Sequence, residues 1–286
     1  MKCVTYNIHF GVGPSGRYDL GPIIEAVKDA DVIALQEVSR NLPLNQGADM
    51  PAEIEAALPG HFSVFGAGMD AGFASHLHKG RAMQMRSQFG NMVLSRWPIL
   101  VSRNLLLPKT RSYDRLNLER CAVEALVVTP SGPLRFYSVH LDHTRTEERM
   151  AQIAFLKAKA FANPDEGAGI TGGGEMGFPE PPIAQDFVMM GDFNFQPDWP
   201  EYAAKTGAVD PLEGWQRTGH HLADISTASG GSIDAMDTYA DFEDPAKNSR
   251  IDYGFVSAGL YPRVSGARVD EGARGSDHLP VWFALD

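Results

Sequence analysis

FVMMGDFN, residues 187–194, runs four apolar residues into a glycine and then into Asp192 and Asn194. Apolar residues in so short a run suit a strand buried on both faces, whereas Asp and Asn favour turns and caps. The stretch therefore reads as a core strand, residues 187–191, that delivers an acid and an amide at its end. The same grammar recurs along the chain. TYNIH (5–9) carries Asn7 and His9, VIALQE (32–37) ends in Glu37, and LRFYSVHLDH (134–143) ends in His140, Asp142 and His143. RIDYGFV (250–256) holds Asp252, and GSDHLPVWF (275–283) opens with Asp277 and His278. One such ending is most simply a solvated strand end or a cap. Six of them are unexpected by chance, because carboxylates are rarely buried unless paired or bound to metal.

Working outward, strands are predicted at residues 3–8, 32–37, 90–94, 121–128, 134–140, 187–191, 251–256 and 281–285, each rich in Val, Ile, Phe and Tyr and bounded by Gly, Pro or Asp. Helices are fewer. Asp19 caps one through Ala30, with Pro22 in its first turn. Thr144-Arg-Thr-Glu147 fits a capping box for another that runs toward Phe161, and Asp198-Trp-Pro-Glu201 opens a third that ends at Gly207. The Gly/His/Met-rich stretch 66–86 and the segment 163–182 read as irregular, the latter as a flexible surface insertion. Many strands and few helices predict an α/β fold in which two mixed sheets pack face to face under flanking helices, a four-layer α/β/β/α sandwich. Nothing divides the chain into two cores, so residues 1–286 are expected to form one domain.

Composition narrows the function. The 286 residues are 43% hydrophobic and 21% charged, near globular averages, with a formal net charge of −11. That acidity disfavours tight, sequence-independent duplex binding and leaves nucleic acid a less favoured partner. Two cysteines, Cys3 and Cys121, sit in separate strand-like runs and are expected to be buried core residues. No secretory signal and no 18-residue apolar span is visible, so a cytoplasmic location is the default expectation. If the strand ends lie side by side, they make a cluster of oxygen ligands and imidazoles without thiolates, which favours Mg²⁺ or Mn²⁺.

TYNIH, LQEV (35–38), GNMVLSRWPI (90–99), SVHLDH (138–143), GDFN (191–194), RIDYGFV and SDHLP (276–280) together resemble the endonuclease/exonuclease/phosphatase superfamily of metal-dependent phosphoesterases, in the family's order and from end to end. The resemblance is to bacterial members of unassigned substrate. It implies that Asn7, Glu37 and Asp277 form the metal side, with Glu37 the direct Mg²⁺ ligand. It also implies that Asp192 and Asn194 position the attacking water and hold a phosphoryl oxygen, that His140 binds or protonates the phosphate, and that His278 pairs with Asp252. Elementary chemistry agrees: phosphoester hydrolysis needs an in-line water, neutralisation of the non-bridging oxygens and help for the leaving oxygen.

The expected activity is hydrolysis of a phosphodiester or phosphomonoester in a small or lipid-derived substrate. Hydrolysis of DNA or RNA is the alternative, and a non-catalytic binding module the second. His9, Asp142 and His143 are candidates to line the pocket or to support it, and Arg120 is a candidate to reach a phosphate, with an exposed ion pair the commoner fate of an arginine. His76 and His78 read as solvated loop residues. Gly11-Val-Gly-Pro-Ser-Gly16 matches GxGxxG, but Gly16, Gly21 and Pro22 interrupt the helix that a dinucleotide site requires. GxSxG, HExxH and GxxxxGK[ST] are absent.

Overall fold

The computed structural model describes residues 1–216, 218–228, 236–241 and 243–286. In chain order the strands are β1 (Lys2–Asn7), β2 (Val32–Arg40), β3 (Phe62–Ala71), β4 (His76–His78), β5 (Arg81–Met83), β6 (Ser87–Ser95), β7 (Ile99–Leu106), β8 (Cys121–Thr129), β9 (Gly132–His140), β10 (Phe187–Asp192), β11 (Val209–Asp210), β12 (Gly214–Trp215), β13 (Ala223–Asp224), β14 (Asp252–Val256), β15 (Val264–Val269) and β16 (Val281–Leu285). The helices are α1 (Gly21–Val27), α2 (Met50–Ala57), α3 (Thr146–Glu166), α4 (Pro200–Thr206) and α5 (Ile225–Ala228).

Two six-stranded sheets form, in the orders β15-β16-β1-β2-β6-β3 and β13-β14-β10-β9-β8-β7. Each is mixed: β1 and β2 run parallel, as do β9 and β10, and the other pairings are antiparallel. Alternation along the strands decides the layers. Cys3, Val32, Ala34 and Phe283 of the first sheet pack against Val123, Ala125, Phe136, Val188 and Met190 of the second. The intervening residues Val4, Tyr6, Ile33 and Leu35 face outward onto Ile23 and Val27 of α1 and Met50 and Ile54 of α2. Tyr137, Val139, Met189 and Phe255 face the opposite way, onto Ile153, Leu156 and Ala160 of α3. A period of two with both faces covered yields the expected four layers. Both cysteines are free and buried, as expected.

A polar seam crosses this apolar interface. Thr5 donates to Gln36, Gln36 Nε2 donates to Ser138 Oγ at 2.9 Å, and Asn91 Nδ2 donates to the carbonyls of Cys121 and Ser138. Satisfied buried polar groups of this kind fix the sheets in one register.

Several expectations are corrected. Residues 62–71 are a strand, not an irregular stretch, and 76–83 form a hairpin that leaves His76 and His78 exposed. Gly66 and Gly68 sit where the other sheet comes close. A Cβ on Gly68 would lie 2.4 Å from the Glu119 carbonyl oxygen, and one on Gly66 would lie 2.5 Å from Asn104 Oδ1 and 2.6 Å from Val123 Cγ2. Gly68 therefore admits a backbone and Gly66 admits side chains, and neither marks a loop. The helix over 146–166 starts two residues after Thr144 and runs past Phe161, taking the first residues of the supposed insertion into its last turn. Its capping box does not form. Asp142 Oδ2 instead accepts hydrogen bonds from Thr144 N, Thr144 Oγ1 and Arg145 N. Asp198 does not cap α4, and Asp19 stands one residue outside the α1 cap, accepting from Gly21 N at 2.8 Å. Among the described residues no helix is long and apolar enough to cross a membrane.

Candidate active site

The two parallel strand pairs end at the same edge of the sandwich, and the polar residues gather there. In the second sheet Asp192 pairs in register with His140 of β9 on one side and with Asp252 of β14 on the other. Residues opposite one another on adjacent strands project from the same face, so these three side chains converge. In the first sheet Asn7 ends β1 beside Gln36 of β2. The β2–β6 register slips between Gln36 and Val38, and the bulged residue is Glu37, held at φ 62°. Positive φ is uncommon for a residue with a Cβ, and bulges near active sites serve to re-aim a side chain. Asn194 is held similarly at φ 53°, with its amide nitrogen donating to the Leu141 carbonyl at 3.1 Å. The loop before β16 brings in Asp277 and His278.

Asn7 ties the halves together. Its Nδ2 lies 3.0 Å from Asp192 Oδ2 and 3.3 Å from Glu37 Oε1, while its Oδ1 accepts from His9 N. His278 Nδ1 lies 2.8 Å from Asp252 Oδ2, and its Nε2 lies 3.9 Å from Asp192 Oδ2. Burial opposes charge on His278, but Asp252, with Asp192 and Asp277 behind it, overcomes the loss of water and pushes its pKa up to about 10. Asp192 moves the opposite way from a free carboxylate. Burial, and then repulsion from Asp252, raise it to about 7.

Of the two readings of Arg120, the structure removes the exposed ion pair. The residue is 6% exposed and has no carboxylate within salt-bridge distance among the described residues. It donates to His140 Nε2 at 2.9 Å and to His143 Nδ1 at 2.8 Å. Burial, and then the guanidinium charge, depress both imidazoles, His140 strongly, so that both accept as neutral rings. A buried guanidinium with no carboxylate in direct contact, opening into a pocket whose Glu37 and Asp192 act on it only at longer range, suits an anion. Its signal in the sequence was only its place at the start of a strand. Asp142, by contrast, turns away from the pocket to hold the 142–145 turn.

The pocket has a volume of about 430 Å³. Polar atoms of Glu37, Arg120, His140, Asp192, Asn194 and His278 face it, and Phe10, Phe89, Leu116, Leu118, Trp199 and Tyr239 wall it. Glu37 Oε2 is buried without a hydrogen-bond partner, and burial raises the Glu37 carboxyl above its usual range. Asp277 stands nearby on the same rim, 3.6 Å from His9 Nδ1. An orphaned buried carboxylate oxygen in an oxygen-rich rim fits a hard divalent cation. Ligand atoms of Asp192, Asp252 and His278 also lie within 4.8 Å of one another. There, however, His278 Nδ1 and Asp252 Oδ2 already satisfy each other, and only Asp252 Oδ1 remains unpartnered, so the Glu37 side is the better cation site.

The two-sheet fold and the motifs that line its polar edge define the class of protein. The chain belongs to the Endonuclease/Exonuclease/phosphatase family, whose model matches residues 4–278. Among solved structures it is similar to an endonuclease/exonuclease/phosphatase from Beutenbergia cavernae, at 22% identity and TM-score 0.66, over 100% of this chain and 71% of that one. It is also similar to a mannosyl-6-phosphatase from Bacteroides thetaiotaomicron, at 18% identity and TM-score 0.61, over 100% and 99% of the two chains. A humanized D. rerio TDP2 aligns at 19% identity and TM-score 0.63, over 100% and 98%. At such identities the likeness is one of fold. No curated protein matches the sequence.

Proposed function

We propose that this chain, as one catalytic domain over residues 1–286, is a Mg²⁺- or Mn²⁺-dependent hydrolase that cleaves a phosphodiester or phosphomonoester in a small substrate by attack of an activated water. One observation carries the reading. The unpartnered Glu37 carboxylate oxygen shares a pocket with His278, which Asp252 holds from behind, and with the buried Arg120 guanidinium. Glu37 and Asp277 would hold the cation, with Asn7 orienting Glu37. A bound divalent cation would neutralise the phosphoryl oxygens and lower the cost of charge build-up.

The remaining work falls to side chains. Arg120 binds a non-bridging oxygen, and neutral His140 and His143 keep its guanidinium aimed. Asp192, raised toward neutrality, accepts a proton from the attacking water, and Asn194 fixes that water's approach. His278, kept protonated by Asp252, donates to the phosphoryl group or to the leaving oxygen.

The pocket favours a small substrate. Among the described residues a single arginine, Arg120, lines it, its walls are largely apolar, and its volume of about 430 Å³ lies in the range of small-molecule sites. A nuclease would need a longer basic track than the chain's net charge of −11 supplies. The test is turnover of p-nitrophenyl phosphate and bis(p-nitrophenyl) phosphate with EDTA, Mg²⁺ or Mn²⁺. Cation-dependent hydrolysis that disappears in Asp192→Ala and His278→Ala is the expected result. Equal rates in wild type and both variants would sink the proposal.

A further inference from the structure

Beside the active-site pocket lies a second groove, of about 740 Å³, that shares Leu116 and His143 with it. Its lining carries Arg111, Arg115 and Arg145 against a single acid, Asp114. That is a local reversal of sign in a chain of net charge −11. Arg145 is engaged by Glu148, at 2.6 Å, and donates to the Thr110 carbonyl. Arg111 and Arg115 have no carboxylate partner among the described residues. Arg111 lies over the Tyr113 ring, 4.7 Å from its centroid, which leaves the edge of its guanidinium for a ligand.

The loop that presents them is built, not slack. Leu107 N donates to the Arg120 carbonyl at 2.9 Å, which closes the loop at its neck. Buried Glu148 accepts from Thr110 N at 2.9 Å and from Asn117 Nδ2 at 3.1 Å, and Gln152 Nε2 donates to the Pro108 carbonyl at 3.0 Å. Compact loops with close ends, pinned by internal polar contacts, are often functional. Here the neck residue is Arg120 itself, so the loop is continuous with the phosphate-binding group.

We propose that this groove is a second anion subsite, and that the preferred substrate is a small molecule carrying a second anionic group, a phosphate or a carboxylate, besides its scissile phosphoester. Arg111 and Arg115 hold that group, and His143 and Leu116 form the threshold between the two halves. The inference rests on the phosphoesterase reading for what occupies the first half, and names the substrate class for it.

The test measures inhibition of p-nitrophenyl ester turnover by fructose 1,6-bisphosphate, by fructose 6-phosphate and by 6-phosphogluconate. At least tenfold tighter inhibition by the bisphosphate than by the monophosphate is expected, the scale of one or two charge-assisted hydrogen bonds. In the Arg111→Ala/Arg115→Ala double variant that ratio should collapse toward unity, whatever the variant does to turnover itself. Tight inhibition by 6-phosphogluconate would mark the subsite as one that accepts carboxylates, and weak inhibition as one that prefers phosphate. Equal inhibition by bisphosphate and monophosphate overturns the proposal, as does a preference that survives the double substitution. So does a single-stranded oligonucleotide that competes more tightly than any small bis-anion through the same two arginines. Calorimetric binding of the same ligands in EDTA separates the two readings. Absence of ester turnover would remove the phosphoesterase assignment, while an Arg111/Arg115-dependent preference for the bisphosphate would still uphold the subsite.

Discussion

His278 Nδ1 lies 2.8 Å from Asp252 Oδ2, although Asp252 begins a strand of one sheet and His278 precedes a strand of the other. The contact fixes the tautomer of the imidazole and keeps it protonated through neutral pH. Replacing Asp252 with Asn preserves the shape and removes the anion. We expect Asp252→Asn to lower kcat by about 10²–10⁴, the usual range for a disabled acid–base group, with a smaller change in KM. Steady-state kinetics on a chromogenic ester check this, and a kcat within threefold of wild type would deny His278 its assigned role.

Glu37 makes a different prediction, because its function and its contribution to stability oppose one another. A buried carboxylate with one orphaned oxygen destabilises the metal-free fold. Glu37→Gln should therefore raise the stability of the protein in EDTA, by about 1 kcal/mol. It should also abolish the stabilisation that Mg²⁺ gives the wild type, which at a hundredfold excess over Kd amounts to about 2.7 kcal/mol. Thermal denaturation with and without Mg²⁺ reads both effects, and a variant that still responds fully to Mg²⁺ would place the cation elsewhere.

Gly68 supports Arg120 from beneath. A Cβ there would stand 2.4 Å from the Glu119 carbonyl oxygen and 3.1 Å from the Arg120 carbonyl carbon. Gly68→Ala must push this backbone outward and carry Arg120 with it. We expect KM for a phosphoester to rise about tenfold or more, since small misplacements of a binding group are costly. A Gly68→Ala protein with unchanged KM and lowered melting temperature would assign the glycine to packing alone.

The histidines contribute to the pH dependence of stability in the metal-free protein in opposite senses, beside Asp192, whose raised carboxyl costs stability as the pH climbs toward about 7. His140 and His143 have folded pKa values below the unfolded value of about 6.5. Below about pH 6.5 the unfolded chain therefore binds the extra protons, and stability falls as the pH drops. For fully buried His140 the slope approaches about 1.4 kcal/mol per pH unit. His278 is raised, so its contribution is full below about pH 6.5 and is lost as the pH climbs toward about 10. Denaturant unfolding in EDTA from pH 5 to 9 should show His140→Gln flattening the acid side and His278→Gln flattening the alkaline side. Parallel curves for wild type and both variants would contradict the assignment.

Much of this was legible in the sequence because the strands are two-faced. Cys3/Val4 and Ile33/Ala34 place apolar residues on both faces, which only a covered sheet tolerates, and the polar endings then mark the open edge. Elements that depend on tertiary contact were not legible. Strand 62–71 hides behind Gly66 and Gly68, whose lack of side chains answers to the Asn104 and Val123 side chains and to the Glu119–Arg120 backbone respectively. Helix 50–57 is too short to display a period and buries only Met50, Pro51 and Ile54. Within the site, the structure brings Asp192, His140, Asp252, His278, Asn7, Glu37 and Asn194 to one edge. Arg120 could be read only as one of two alternatives, because what decides between them is its burial against two histidines 20 and 23 residues away.

The hydrogen-bonded seam from Thr5 through Gln36 to Ser138 runs between the layers just beneath the pocket. It makes the catalytic geometry a vernier for the alignment of the two sheets. A slip of a fraction of an ångström along that seam would part Asp252 from His278 and Asn7 from Asp192 while each sheet keeps its own hydrogen bonds. Turnover should then vanish at denaturant concentrations where circular dichroism still reports full strand content, and the enzyme would act as a sensor of its own interior fit.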